Sequence, residues 1–208
     1  MLLSITENAS GSTGGAMPQK ALDTIWEWAA SLPEASVEVL PEDPGAAEHL
    51  ARRMKMLALP APNRSRDSSA QAKVDGVEYV VSDGYFTLGD MVAVFMGGST
   101  APAGVEKIGL RFETNCCRIH TTAGDEEVTL TVAMDGSRAE SILPGMPSIA
   151  LCSGEWTEEN VFTVTMRMVE TCNEKYLTFI FSDDGAVLES YSNHVFASRK
   201  ATASLKKI

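Results

Sequence analysis

The sequence has no apolar run approaching the ~18 or more residues that a membrane-spanning helix needs. It also has little basic charge, because 17 lysines and arginines stand against 28 aspartates and glutamates. The formal net charge is -11 and the pI is near 4.7. Nucleic acids and anionic membranes are bound through clusters of lysine and arginine. We therefore expect no nucleic acid partner and no membrane span.

We also expect no export signal in this chain. The opening stretch "MLLSIT" is too short for the apolar core of a signal peptide and has no basic flank. The sequence therefore predicts a soluble protein, cytoplasmic by default, while the compartment itself stays undecided.

The chain lacks the spacings that mark metal sites and disulfide frameworks. It has four cysteines and no Cys-x-x-Cys pair: Cys116, Cys117, Cys152 and Cys172. Neighbouring cysteines of a strand point to opposite faces, so buried free thiols are favoured over a zinc site. The three histidines stand apart from any His-x-His or His-x-x-x-His spacing: His49, His120 and His194. We predict no metal and no cofactor.

Catalytic motifs are missing as well. There is no Gly-x-Ser-x-Gly, and the sequence "SLKK" matches Ser-x-x-Lys only within the last five residues, away from the helix on which that motif works. The sequence "YSN" indicates a tyrosine at a strand end followed by a turn asparagine. Carboxylates cluster at turns, which is typical of solvated hairpin tips rather than of acid/base pairs. We predict no catalytic residue.

The first third of the chain shows helical patterns. A short strand over residues 2–6 and a Gly/Ser-rich loop precede a helix that starts near Pro18 and places Leu22, Ile25 and Trp26 at helical spacing. A link rich in proline and acidic residues leads to a second short helix. Its apolar positions recur at i, i+3, i+4, i+7 and i+10: Ala47, Leu50, Ala51, Met54 and Leu57.

From Val77 onward the pattern changes to strict alternation. Eight or nine segments of about 5 to 10 residues are separated by Gly, Asp and Asn turns, and "SDDGA" is a hairpin signal. A meandering sheet without intervening helices must pair with a second sheet or close on itself. We predict a mainly β fold: an antiparallel, lipocalin-like barrel of about eight strands, preceded by a strand-helix segment and a second short helix.

The alternation also predicts which side chains face inward. They are Leu110, Phe112, Val128, Leu130, Val132, Phe162, Val164, Met166, Met168, Leu177, Phe179 and Phe181. About eight strands leave an interior that side chains fill or that holds one small ligand, and this bulky set favours a filled interior. Four residues are candidate contacts for a ligand or for the barrel end, and Trp156 is favoured as a plug: Trp156, Met166, Met168 and Phe179.

Several stretches are similar to the C-terminal part of β-lactamase-related serine hydrolases of the class C type. "LLSITENA" and "ALDTIWEWAASLP" resemble the last strand and the C-terminal helix of the catalytic domain. "VLPEDPGAAEHLARRMKMLALPAP" resembles the link that follows. "SGEWTEENVFTVTMRMVETCNEKYLTFIFSDDGAVLES" is similar to the most recognisable part of the β-rich accessory domain. The resemblance covers nearly the whole chain.

The resemblance implies domains and a partner. Residues 1–32 would be the terminal strand and helix of an otherwise absent hydrolase domain, 33–73 a helical linker, 74–200 the accessory barrel and 201–208 a tail. The family's catalytic motifs would lie upstream, so no catalytic residue is carried over. The implied partner is the missing catalytic domain, and relatives often work in the cell envelope. Residues 1–32 are expected to dock on the barrel or to form a homodimer.

Two functions compete at this point. The first is a non-catalytic accessory barrel of a serine hydrolase, so that this chain alone is no enzyme. The alternative is a stand-alone, lipocalin-like protein that binds a small apolar ligand near Trp156, Met166 and Met168. Methionine adapts to irregular apolar molecules, which is the reason for considering this second hypothesis.

Overall fold

The computed structural model describes residues 16–31, 43–56, 61–89, 103–144, 149–169, 173–193 and 200–208. The chain divides into two units. The first holds helices α1 (Ala16–Ser31) and α2 (Pro44–Met56), and the second spans Pro62–Ile208. The predicted strand over residues 2–6 lies outside the described residues.

The helices of the first unit follow local sequence signals. Asp43 precedes α2 and its Oδ1 accepts a hydrogen bond from the Ala46 amide at 2.9 Å, which caps the helix start. Arg53 and Lys55 lie in the last turn of α2, where positive charge complements the helix dipole. The apolar residues of these helices are largely exposed in the structure, Trp28 by 59%. The homodimer predicted through residues 1–32 stays a prediction.

The second unit contains one short helix, α3 (Gln71–Val74), and ten strands among the described residues. The strands are β1 (Glu78–Gly84), β2 (Lys107–Phe112), β3 (Cys116–Ala123), β4 (Glu126–Ala133), β5 (Ala139–Ile142), β6 (Ile149–Glu158), β7 (Val161–Met168), β8 (Glu174–Phe181), β9 (Gly185–Ser192) and β10 (Ala201–Lys207).

Pairing of the strands forms a barrel. Neighbours follow the order β4-β3-β2-β1-β10-β9-β8-β7-β6-β5, so the first strand pairs with the last. On the other side β4 meets β6 through one parallel bridge, Ala133 to Ser153. The mainly β barrel is as predicted. The purely antiparallel sheet of about eight strands was wrong, because β5 and β10 were not expected and the closing bridge is parallel.

Residues 201–208 were predicted to be a tail, and this was wrong. Residues Ala201–Lys207 form β10, which pairs with β9 on one side and with β1 on the other. Its inward residues are Ala203 and Leu205, so the apolar alternation is short and weak. Backbone hydrogen bonds to β1 and β9 hold the strand in place, although its side chains show only a weak strand pattern. The predicted domain limits at residues 32 and 73 stay predictions.

The interior matches the predicted alternation. Ten of the twelve residues predicted to face inward are buried, and Phe112 and Val128 pack against them as partly buried residues. Register explains the set, because Phe162 pairs with Phe179 and Val164 with Leu177 across β7 and β8. Burying such side chains contributes about 1.5 to 3 kcal/mol each, so this face dominates the stability of the barrel.

A side chain, and not backbone strand pairing, joins β4 to β5 at the seam between these two strands. Ser141 Oγ accepts a hydrogen bond from the Thr131 amide at 2.8 Å and donates one to the Thr131 carbonyl at 3.1 Å. Ser141 is buried. One hydroxyl therefore satisfies both backbone groups of Thr131 where the described residues show no β4–β5 pairing.

Replacement of Ser141 by alanine is expected to lower the free energy of unfolding by about 1 to 3 kcal/mol, because two backbone groups lose their partner. The matched control is Ser82→Ala, since Ser82 Oγ donates to the Ser204 carbonyl at an exposed position. We expect the control to change stability by less than about 0.5 kcal/mol. Urea unfolding measures both, and equal losses would contradict the proposed role of the seam.

Candidate functional site

Aromatic side chains fill the end of the barrel where β6 ends and β7 begins. The Trp156 ring lies with its centroid 5.2 Å from that of Phe162, 5.7 Å from Phe112 and 5.7 Å from Phe181. Phe179 stacks on Phe181 at 5.9 Å. All five rings pack within one cluster, so this end of the interior is occupied by the protein itself.

The segment before β1 covers the same end. Trp156 Nε1 donates a hydrogen bond to Gln71 Oε1 at 3.2 Å, and the Trp156 amide donates to Ser65 Oγ at 3.1 Å. The Ser69 amide donates to Glu159 Oε1 at 2.8 Å, and hydrogen bonding by Ser69 lowers the pKa of the Glu159 carboxyl. These bonds anchor the segment to the β6–β7 hairpin.

The opposite end of the interior has a different composition. Met166 pairs with Lys175 across β7 and β8, and Lys175 pairs with Ser192 across β8 and β9. Met168 lies one inward position further along β7, opposite Ala150 of β6. Two flexible thioethers, an ammonium group and a hydroxyl therefore line one end of the barrel, next to the β1–β2 connection.

Lys175 is the unusual residue of this end. It is only 6% exposed, and its Nζ donates to the Gly89 carbonyl at 3.0 Å and to Thr87 Oγ1 at 3.3 Å. Taking an ammonium group out of water is costly, so fully buried lysines are rare. A buried lysine in a barrel interior is therefore a candidate for recognition of a negatively charged or polar group.

Two buried hydroxyls have no hydrogen-bond partner among the described residues: Ser192 Oγ and Tyr79 Oη. Ser192 is 7% exposed and is the strand neighbour of Lys175. Tyr79 is fully buried on β1, near the aromatic end, and burial raises the pKa of its phenol. The large majority of buried polar groups in proteins are hydrogen-bonded, so each unpaired hydroxyl needs an explanation.

The four residues singled out from the sequence are all buried, but they lie in different places. Trp156 and Phe179 belong to the aromatic end, whereas Met166 and Met168 line the end with Lys175. Their role as ligand or barrel-end contacts stays a prediction. Sequence reasoning missed Lys175, although it alternates with Leu177 and Phe179 and so shares their inward face.

The described cysteines and histidines form no site. Burial raises the pKa of Cys152 to about 11 and that of Cys117 further, which keeps both as neutral thiols. His120 Nδ1 lies 2.8 Å from Thr129 Oγ1 on an exposed face. No cluster of three potential metal ligands occurs among the described residues. Cys172 and His194 lie outside them.

An ionic cluster lies on the outer face of the same strands. Glu174 accepts hydrogen bonds from Arg167 and from the Tyr176 hydroxyl. Burial would raise the pKa of Glu174, but these donors lower it overall. Burial together with the Glu174 carboxylate raises the pKa of Tyr176 to about 12. Both groups therefore hold one protonation state near neutral pH and support the β7–β8 hairpin.

The helices give no sign of a membrane span: none in the described parts of the chain is both long and apolar enough to cross a bilayer.

Comparison with known proteins shows similarity of structure without similarity of sequence. No family model and no curated protein matches the sequence. A Schistosoma mansoni fatty acid binding protein is 14% identical with a TM-score of 0.50, over 67% of this chain and 99% of that one. An extracellular fatty acid binding protein, As-p18, is 11% identical with a TM-score of 0.48, over 68% and 100%. A fatty acid transporter is 13% identical with a TM-score of 0.46, over 66% and 97%.

These findings overturn the resemblance to β-lactamase-related serine hydrolases. The barrel matches the schistosome protein over almost its entire length, so the sheet corresponds to the complete fold of that protein. The assignment as an accessory domain was wrong, and with it the missing hydrolase domain as a partner. The structural comparison shows that the chain has the fold of a fatty acid binding barrel.

Proposed function

We propose that the barrel is a stand-alone binding protein that holds one small, largely apolar molecule with a polar or anionic head group. The proposal rests on two buried polar residues that are neighbours on adjacent strands inside the barrel. Lys175 carries an ammonium group, and the hydroxyl of Ser192 has no hydrogen-bond partner among the described residues. Small-molecule sites are concave, mostly apolar and contain a few convergent polar groups. This end of the interior has that composition.

The neighbouring side chains suit an apolar chain. Met166 lies beside Lys175 and Met168 follows it, so a chain attached to the head group would contact two adaptable thioethers. Phe179 lies deeper on the same wall, and Trp156 ends the interior at the aromatic cluster. The similar schistosome protein is described in complex with arachidonic acid, an apolar chain that ends in a carboxylate.

The ammonium of Lys175 would donate a hydrogen bond to the ligand head group. It now donates to Thr87 and to the Gly89 carbonyl, and a carboxylate is a stronger acceptor than either. The Ser192 hydroxyl would donate to the same head group and lose its unpaired state. The proposed function is binding without covalent chemistry.

Replacement of Lys175 by methionine is expected to weaken binding of palmitic acid roughly tenfold to hundredfold, because a charge-assisted hydrogen bond contributes about 1.5 to 3 kcal/mol. Methionine keeps the length and the packing of the stem, so we expect the variant to fold. The measurement is displacement of a fluorescent fatty acid analogue from the purified protein.

The matched control is Lys206→Met, which removes the same charge from an exposed position of β10. We expect unchanged affinity in this variant. Failure of the wild-type protein to bind any apolar probe, with native mass spectrometry showing a bare chain after incubation with palmitic acid, would overturn the proposed function. Equal weakening in both lysine variants would assign the effect to net charge.

A further inference from the structure

The wall formed by β9 and β10 is lined by smaller side chains than the wall formed by β6, β7 and β8. Ser190 pairs with Ala201, Leu188 with Ala203, and Ala186 with Leu205, so every pair contains at least one residue with a small side chain. Ser190, Ala186 and Ala203 are buried and face the interior. The side chains of this wall therefore fill less of the interior than the large aromatic residues do.

The small-residue wall runs between the two unpaired hydroxyls. Ser192 lies at one limit, next to Lys175. Tyr79 lies at the other limit. It pairs with Lys207, the last residue of β10, and the centroid of the Tyr79 ring is 6.3 Å from that of Phe181. Lys175 and Phe181 stand six positions apart on β8, and at a rise of about 3.3 Å per residue this corresponds to roughly 20 Å.

Tyr79 is equipped to donate a hydrogen bond into the interior. Its side chain is fully buried, and its Oη has no partner among the described residues. The phenol is neutral near pH 7, and burial raises its pKa further. Its inward neighbour Ile108 offers no acceptor side chain. A buried hydroxyl left unpaired destabilises a fold, which points to a partner that the chain itself does not supply.

We propose that the ligand carries a second oxygen, a hydroxyl or carbonyl remote from its head group, and that Tyr79 Oη donates a hydrogen bond to it. The inference rests on the proposed function and adds a specificity to it. The ligand class is then an apolar chain that is polar at both ends, with the head group at Lys175 and Ser192 and the second oxygen at Tyr79.

The test compares palmitic acid, ω-hydroxypalmitic acid and α-hydroxypalmitic acid by displacement of the same fluorescent analogue. Wild-type protein is expected to bind the ω-hydroxy acid roughly tenfold more tightly than palmitic acid, as one buried hydrogen bond allows. The α-hydroxy acid, whose hydroxyl lies beside the head group, should not show this gain. In Tyr79→Phe the preference is expected to disappear while affinity for palmitic acid changes less than about twofold.

A matched control is Tyr191→Phe, since Tyr191 lies on the outer face of β9 stacked on Tyr176. It should keep the preference for the ω-hydroxy acid. If palmitic and ω-hydroxypalmitic acids bind wild-type protein equally, or if Tyr79→Phe retains the preference, the inference is overturned while the proposed function stands. If no acid binds, the proposed function fails and this inference fails with it.

Discussion

A Gly84→Ala variant is expected to lose at least about 3 kcal/mol of unfolding free energy, because the change strains the backbone and forces atoms to overlap. Gly84 has a φ of +82°, a conformation that L side chains rarely adopt. A Cβ at this position would lie 2.1 Å from the Thr202 carbonyl oxygen and 2.9 Å from the Ala203 Cα. Both are backbone atoms of β10, so the closure between the first and last strands must shift.

The control separates strain from overlap. Gly124 in the β3–β4 turn has a φ of +62°, and a Cβ there meets nothing within 4 Å. Gly124→Ala should therefore cost only the conformational penalty of about 1 to 2 kcal/mol. Urea unfolding followed by circular dichroism measures both variants. Equal losses would mean that overlap with β10 contributes nothing.

Trp156→Ala is expected to cost about 3 to 5 kcal/mol, the usual range for removing a buried aromatic side chain. Trp156 is 1% exposed and touches the rings of Phe112, Phe162 and Phe181. The substitution also leaves Gln71 without the indole hydrogen bond that holds the covering segment. Loss of the plug should therefore loosen residues 62–76 as well as lower the stability of the barrel.

The matched control is Trp28→Ala, because Trp28 lies exposed on α1. We expect it to change the free energy of unfolding by less than about 0.5 kcal/mol. Amide hydrogen exchange of Trp156→Ala provides a second measurement, in which faster exchange is expected around Gln71 and Ser65. A small loss of stability, with unchanged exchange in that segment, would show that the neighbouring rings close the barrel end alone.

Strands of strong alternation were predictable from the sequence, and strands of weak alternation were not. In the stretch from Phe162 to Met168, apolar and polar residues alternate without exception, so the sequence predicts which side chains face inward. In β10 the inward residues are as small as Ala203, and β5 is only four residues long. These two strands form because they pair with neighbouring strands. The alternation of residues within a single strand gives no information about that pairing.

The candidate site was predicted only in its apolar part. Met166 and Met168 stood out by type and alternation, whereas Lys175 was not singled out. Its burial depends on register, since β8 begins at Glu174 and places Lys175 on the same face as Leu177. Ser192 and Tyr79 become conspicuous only when their hydroxyls are found without partners, a property of the folded interior.

The misleading family resemblance has a physical explanation. A tryptophan before an acidic turn, followed by a long alternating strand and two more strands, describes a meander of any antiparallel barrel. Those features arise from hairpin geometry and from the need to fill an interior, so they recur without common function. The helical stretches that extended the resemblance are short amphipathic patterns of equally general kind.

Closure by β10 also determines when the barrel can form during synthesis. β1 has been made by residue 84, but its partner on one side consists of residues 201–207. At roughly 5 to 20 residues per second, β1 waits on the order of ten seconds on the ribosome with that edge unpaired. An open strand edge is a template for pairing with other chains. A nascent chain that stops before Ala201 therefore exposes edges of both β1 and β9, where intermolecular aggregation would begin.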